Sequence, residues 1–163
     1  MGQNNICKKI GFTIGKFAPL HKGHQYLIET GLKEMDQFIT IIYETDKIRI
    51  PIEKRAEWIK TLYPQVKILF AYNPPKQYGL DEKSVKIQME YLTKIIDKYQ
   101  VTHFYSSEPY GEKVAKYLNI ADRRIDNQRI NYPISGTNIR KEIEKYKNSL
   151  PEIVYKDCIK YEK

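Results

Sequence analysis

Residues Ile10 to Ile28 read IGFTIGKFAPLHKGHQYLI, and the fold turns on how this stretch divides. Ile10 to Ile14 is a short apolar run closed by Gly15, the length and punctuation of a buried strand. From Lys22 to Met35 the positions Leu27, Ile28, Gly31, Leu32 and Met35 recur at helical spacing. A strand, a loop holding Gly15-Lys16-Phe17-Ala18-Pro19 and a helix opening on His21-Lys22-Gly23-His24 therefore follow in order. The chain has three histidines and places two of them here, one turn apart. That spacing alone fits a shared helix face, a metal pair or chance.

Working outward, strands and helices alternate. Gln37 to Tyr43 is rich in β-branched residues and reads as a second strand. Pro51 starts a helix that turns Ile52, Ala56, Ile59 and Leu62 inward. Val66 to Tyr72 is a third strand, and Lys83 to Tyr99 a longer helix with Ile87, Leu92, Ile95, Ile96 and Tyr99 as its stripe. Val101 to Ser106 gives a fourth strand, in which His103 reads as a core or strand-end residue. Glu112 to Leu118 is a short helix, Arg124 to Asp126 a brief fifth strand, and Asn138 to Tyr146 a closing helix. This rhythm predicts a Rossmann-like, doubly wound α/β fold: a five-stranded parallel sheet with helices on both faces. Ligands in such sheets bind beyond the carboxyl ends of the strands, where the winding reverses. The expected organisation is one domain over residues 1–150, followed by a weakly patterned C-terminal tail over 151–163.

Composition narrows the function classes. With 163 residues, 41% hydrophobic and 29% charged, the chain has ordinary globular make-up and enough length for a sizeable core. No run approaches the ~20 apolar residues of a membrane span, and the N-terminus lacks an apolar signal core. The expectation is a cytoplasmic protein without a membrane partner. Cys7 and Cys158 form no CxxC spacing and suggest neither a zinc site nor a disulfide framework. The net charge of +8 invites a nucleic-acid reading. Yet the basic residues are mostly lysines spread along every segment, without a basic run. A solvated lysine coat, whose field favours a small anionic substrate, is the expected meaning, with no nucleic-acid partner.

Two constellations carry chemistry. At the end of the first strand, Gly15 lets the backbone approach a ligand, and the following helix start offers main-chain N–H groups to phosphate. Gly23 keeps bulk away between His21 and His24. The second constellation is Ile134-Ser135-Gly136-Thr137-Asn138-Ile139-Arg140. Small, hydroxyl-bearing Ser135, Gly136 and Thr137 sit where a helix begins, with Thr137 as its expected cap. Arg140, one turn in, could add a bidentate contact to the same polyphosphate.

Together these residues resemble the nucleotidylyltransferase superfamily with the HxGH signature. The resemblance is closer still to nicotinamide-mononucleotide (NMN) adenylyltransferases, especially that domain of the bifunctional bacterial NAD-biosynthesis regulators. It rests on the GKFAPLHKGH stretch, on Pro51, Arg55 and Trp58 as a P-x-x-R-x-x-W stretch, on YSSEPYG from Tyr105 to Gly111, on Asp126 and Arg129, and on the SG-x-x-IR motif. It runs from about Ile10 to Arg140. Two departures stand out. No GxxxxGK[ST] of a P-loop kinase appears before Lys163, so no kinase activity is expected. Relatives also place tryptophan in the segment corresponding to Asn73 to Asp81, where this chain has NPPKQYGLD.

The resemblance implies an enzyme that joins NMN to the AMP moiety of ATP, giving NAD and pyrophosphate by direct in-line attack. It implies that His21, His24 and Lys16 are the catalytic set, with both histidines on the reacting phosphates. Gly15, Phe17, Ala18, Gly23, Glu108, Ser135, Gly136, Thr137 and Arg140 would bind ATP, and Arg55, Trp58 and Tyr78 the acceptor. Mg²⁺ would enter on the ATP phosphates, not in a carboxylate cage, and no resident metal is expected. A homo-oligomer is compatible with all of this. An adenylyltransferase for another phosphorylated acceptor (phosphopantetheine, flavin mononucleotide), a nucleotide-sensing regulatory domain and a nucleic-acid-binding module are the open alternatives.

Overall fold

A computed structural model describes residues 7–77, 79–126 and 129–162. Five strands, β1 (Ile10–Gly15), β2 (Gln37–Tyr43), β3 (Lys67–Ala71), β4 (His103–Ser106) and β5 (Ala121–Arg124), form one sheet in the order β3-β2-β1-β4-β5. Every pairing is parallel. The chain winds outward from β1 to β3, then returns to the other side of β1 for β4 and β5. The winding therefore reverses between β1 and β4, and the crevice above that pair is where a ligand would sit.

Alternation along β2 shows how the sequence makes two cores. Phe38 and Ile42 of β2 face a cluster built by α1 (Lys22–Glu34), α2 (Ile52–Leu62), α5 (Gly136–Lys141) and α6 (Glu152–Glu162). Ile39 and Ile41 face the opposite cluster, built by α3 (Glu82–Ile96) and α4 (Gly111–Leu118). One-residue alternation on a strand buried from both sides gives an almost continuous apolar run, as the sequence of β2 has.

Three expectations are corrected. The fifth strand is Ala121–Arg124, not Arg124 to Asp126. It is a sheet edge whose side chains are exposed or half-buried, so no apolar run announces it. The closing helix is shorter than Asn138 to Tyr146: α5 spans six residues with Ile139 as its single buried anchor, and a 3₁₀ turn follows at Lys147–Ser149. The weakly patterned segment after residue 150 forms α6, which places Val154 and Cys158, one turn apart, in the larger core. Its apolar face is made of a cysteine and partly buried tyrosines, Tyr155 and Tyr161, which hydropathy patterning scores poorly. No helix of the described residues is long and apolar enough to cross a membrane.

Candidate active site

Beyond the carboxyl ends of β1 and β4 lies a cleft of about 460 Å³. The first motif lines it with Gly15, Lys16, Phe17, Ala18, His21, Gly23 and His24, the β4 end adds Glu108, and the second motif adds Ser135, Gly136, Thr137 and Arg140. Residues more than a hundred positions apart in the chain thus share one wall-to-wall space. One bond between the motifs runs from Arg140 Nη1, which donates to the Ala18 carbonyl at 2.6 Å. Arg140 Nη2 lies 3.3 Å from Thr137 Oγ1.

At the first wall, β1 ends, Phe17 adopts a left-handed backbone (φ 49°), and α1 begins at Lys22 with His21 as its N-cap. The Phe17 ring folds back over Gly15, whose absent Cβ would lie 3.2 Å from it. The glycine expected to admit a ligand thus also admits this ring. Phe17 then meets His24 edge-on, with centroids 4.8 Å apart. The Gly23 N–H donates to His21 Nδ1 at 3.1 Å, and the His21 N–H to His24 Nδ1 at 3.2 Å. This is a capping box in which imidazoles replace the usual hydroxyl and carboxyl groups. The two rings stack with centroids 3.7 Å apart.

The electrostatics of the two walls differ. Burial, then the Arg129 guanidinium, pushes the His21 imidazole down to about 4. His24 is held well below the ordinary histidine value by burial, by His21 and by Arg129. Lys16 is lowered by burial and then by the neighbouring cations Lys47 and Arg140. Three cationic side chains therefore crowd one side of the cleft, a cost that a polyphosphate would relieve.

The third side is the loop after β5. Asp126 accepts main-chain N–H bonds from Ile130, Asn131 and Tyr132 at 2.9, 3.1 and 3.0 Å. These bonds hold its carboxyl below the usual range, the one from Asn131 foremost. They pin a loop in which Asp126 and Arg129 both carry positive φ, 46° and 52°. Arg129 in turn donates to Glu108 Oε1 at 2.8 Å and to the Ile134 carbonyl at 2.9 Å. Both acidic side chains of the cleft are thereby engaged. Among the described residues no group of three or more His, Cys, Asp or Glu is arranged to hold a metal ion.

Two residues expected at the acceptor lie elsewhere. Arg55 is buried and donates to the carbonyls of Lys16, Tyr43 and Ile50. It staples the ends of β1 and β2 to the start of α2 and does not line the cleft. Trp58 is buried between α2 and α6, where Nε1 donates to Asp157 Oδ2 at 2.8 Å. Tyr78 lies outside the described residues. Sequence reading missed Lys47, Tyr110 and Tyr132, which also line the cleft. It noted Arg129 without assigning it to the site. An adjoining apolar cleft of about 400 Å³ shares Gly15, Lys16 and Tyr110 with the first and continues past Tyr43, Pro74, Leu80 and Met89.

A family model described as Cytidylyltransferase-like matches residues 12–142. The trifunctional NAD biosynthesis/regulator proteins NadR of Salmonella typhimurium and Escherichia coli are each 26% identical to this chain over 162 residues, covering 88% of it. The chain spans 39% of the length of these relatives. A NadR structure in complex with NAD and AMP-PNP superposes with a TM-score of 0.62 at 21% identity, over 86% of this chain and 44% of that one. A bifunctional NMN adenylyltransferase/ADP ribose pyrophosphatase of Francisella tularensis, with AMP and a manganese ion, gives 0.60 at 19% identity, over 89% of this chain and 43% of that one. At such identities the superpositions establish the fold.

Proposed function

The chain belongs to the cytidylyltransferase-like family, and from that premise we propose that it is a nicotinamide-mononucleotide adenylyltransferase, forming NAD and pyrophosphate from NMN and Mg-ATP. The observation that carries this reading is the convergence of the HKGH and SGTNIR motifs on one cleft, tied by Arg140 to the Ala18 carbonyl. An oxygen of the NMN 5′-phosphate attacks the α-phosphorus of ATP. The bond from that phosphorus to the bridging oxygen breaks, and pyrophosphate leaves. Both reactants are anions, so alignment and charge stabilisation suffice without a covalent nucleophile.

In this reading His21 and His24 donate to the α-phosphate as charge builds on its oxygens. Lys16, Lys47 and Arg140 take the β- and γ-phosphates. Both histidines accept main-chain N–H bonds at Nδ1, so their protons reside on Nε2 and they act as donors, not as bases. Mg²⁺ arrives on the nucleotide as part of the substrate. With Glu108 paired to Arg129 and Asp126 saturated by main-chain donors, the cleft leaves charge neutralisation to that cation and to the chain's own. The acceptor's ring occupies the adjoining apolar cleft, and Lys16, shared by both clefts, faces both reactants.

The test is to incubate the protein with Mg-ATP and, in separate arms, NMN, nicotinic acid mononucleotide, phosphopantetheine and flavin mononucleotide, measuring pyrophosphate and the dinucleotide product. Release with NMN and formation of NAD is the expected result. Release only with another acceptor would replace NMN, and release with none would remove the reaction.

A further inference from the structure

The glycine between the two histidines has a neighbour that explains it. A Cβ built on Gly23 would lie 2.9 Å from Cε1 and 3.0 Å from Nδ1 of His21, and 3.8 Å from Cβ of Tyr132. The first two contacts are far inside van der Waals distance, and both are to one ring. Gly23 does not carry positive φ; its backbone is helical, a conformation alanine adopts readily, and alanine is the better helix former. Backbone geometry therefore gives no reason for glycine here, and helix propensity argues against it. The contact that requires it in the structure is the one with the His21 ring.

We propose that Gly23 is a positioning residue: its missing side chain lets the His21 ring fold onto the start of α1, closing a capping box that fixes both histidines as neutral imidazoles with the proton on Nε2. The chain of bonds is Gly23 N–H to His21 Nδ1, then His21 N–H to His24 Nδ1. A nitrogen that accepts a main-chain hydrogen bond has its lone pair committed and cannot carry a proton, so each ring is left with one donor, on Nε2. The surroundings enforce the neutral form. The rings stack 3.7 Å apart, so two imidazolium charges would repel at contact. Arg129 from the loop after β5 adds a cation facing both, while Glu108 and Asp126, the cleft's acids, are spent on Arg129 and on main-chain donors. Burial further favours the neutral rings. Lys16, Lys47 and Arg140 then supply the permanent charge while the histidine pair supplies two oriented dipoles. The consequence for phosphate transfer rests on the reaction proposed above; the lock itself does not.

The lock is read directly from long-range ¹H–¹⁵N imidazole spectra of the ¹⁵N-labelled protein at neutral pH, without substrate. Both cleft histidines are expected as the neutral Nε2–H tautomer, and a cation or an Nδ1–H form of either would overturn the proposal. In Gly23→Ala the His21 signature is expected to change, and turnover to fall about 10²-fold, the scale of a displaced catalytic group, with the KM for Mg-ATP little altered. Adding His21→Asn to Gly23→Ala shortens the colliding side chain while leaving an amide oxygen to cap the helix. The melting temperature should recover and turnover should not. An alanine variant that melts higher than the parent and keeps its turnover, or a double variant no more stable than Gly23→Ala, would show that His21 does not dictate the glycine. Absence of pyrophosphate with every acceptor would unseat the reaction and leave the tautomers to be judged on their own spectra.

Discussion

The two walls of the cleft are built on different mechanical terms. The first is the start of α1, a helix of 13 residues that sinks Leu27, Ile28 and Gly31 into the core and caps itself with its own imidazoles. The second is the start of α5, six residues long, with Ile139 as its buried anchor and the Ser135 hydroxyl as its cap at 3.2 Å. The first wall is braced by bonds from Tyr63 to Glu29 and from Tyr105 and Arg123 to Glu34, and in the proposed reading it holds neutral donors in a fixed orientation. The second leans on it through Arg140, whose guanidinium grips the Ala18 carbonyl of the first motif. In the proposed reaction, a strong helix orients the groups that must be placed most accurately, and a short one brings up charge, which acts over longer range and tolerates looser placement.

If that division is right, disturbing the first wall should hurt chemistry most. His24→Ala is expected to lower turnover by ~10²–10³, with a much smaller effect on Mg-ATP affinity. Paired single-turnover and binding measurements check it, and an equal loss in both would move His24 to ground-state grip.

The next effect separates the walls by pH. The His21 imidazole is pushed down to about 4 from 6.5. The unfolded chain therefore takes up a proton near pH 6.5 while the folded chain stays neutral until about pH 4. The folding stability tied to this neutral ring is complete above the upper value and is lost progressively as pH falls toward the lower one, by ~3 kcal/mol at most. Denaturant melts at pH 7.5 and 4.5, about the two ends of that window, should show the parent losing more stability than His21→Asn. Identical slopes would mean that His21 titrates normally.

Disturbing the second wall should cost less. Arg140→Lys keeps the charge but breaks the fork that reaches Ala18 and Thr137, so stability should fall by about 1 kcal/mol and Mg-ATP affinity about tenfold. Thermal melts with and without Mg-ATP would show both changes. Unchanged melts would mean that the second wall does not lean on the first.

The smallest effect discriminates within the second motif. Ser135, not the expected Thr137, accepts from the Asn138 N–H and caps α5. Ser135→Ala should therefore cost about 1 kcal/mol, and Thr137→Ala less than ~0.5 kcal/mol. Melting temperatures of the two variants decide it, and the reverse order would restore the threonine as cap.

What could be read in advance followed the contiguity of each signal. The β1-loop-α1 unit was legible because strand, glycine, histidines and helix stripe lie in one run of sequence, and β2 because a strand covered on both faces is apolar almost throughout. β5 was misplaced because an edge strand of Ala, Asp and two arginines carries no hydropathic signature. α6 was passed over because Cys158 and tyrosines make its apolar face. Arg55 and Trp58 show a different limit. Their spacing places them on one face of α2, but which way that face turns depends on Asp157, 99 residues from Trp58, and on carbonyls at the ends of β1 and β2. Lys47, in the loop before α2, has no motif around it at all.

Arg55 has one more consequence. Its guanidinium stays charged at any physiological pH, is buried, and spends its hydrogen bonds on the neutral carbonyls of Lys16, Tyr43 and Ile50. Burial lowers its pKa, while the Glu53 and Glu44 carboxylates raise it. Dissolved salt screens the exposed Lys47 readily and the buried Arg55 much less. The two charges therefore answer differently to ionic strength: the field of Lys47 fades as salt rises, while that of Arg55, offset in part by Glu53 and Glu44, fades less.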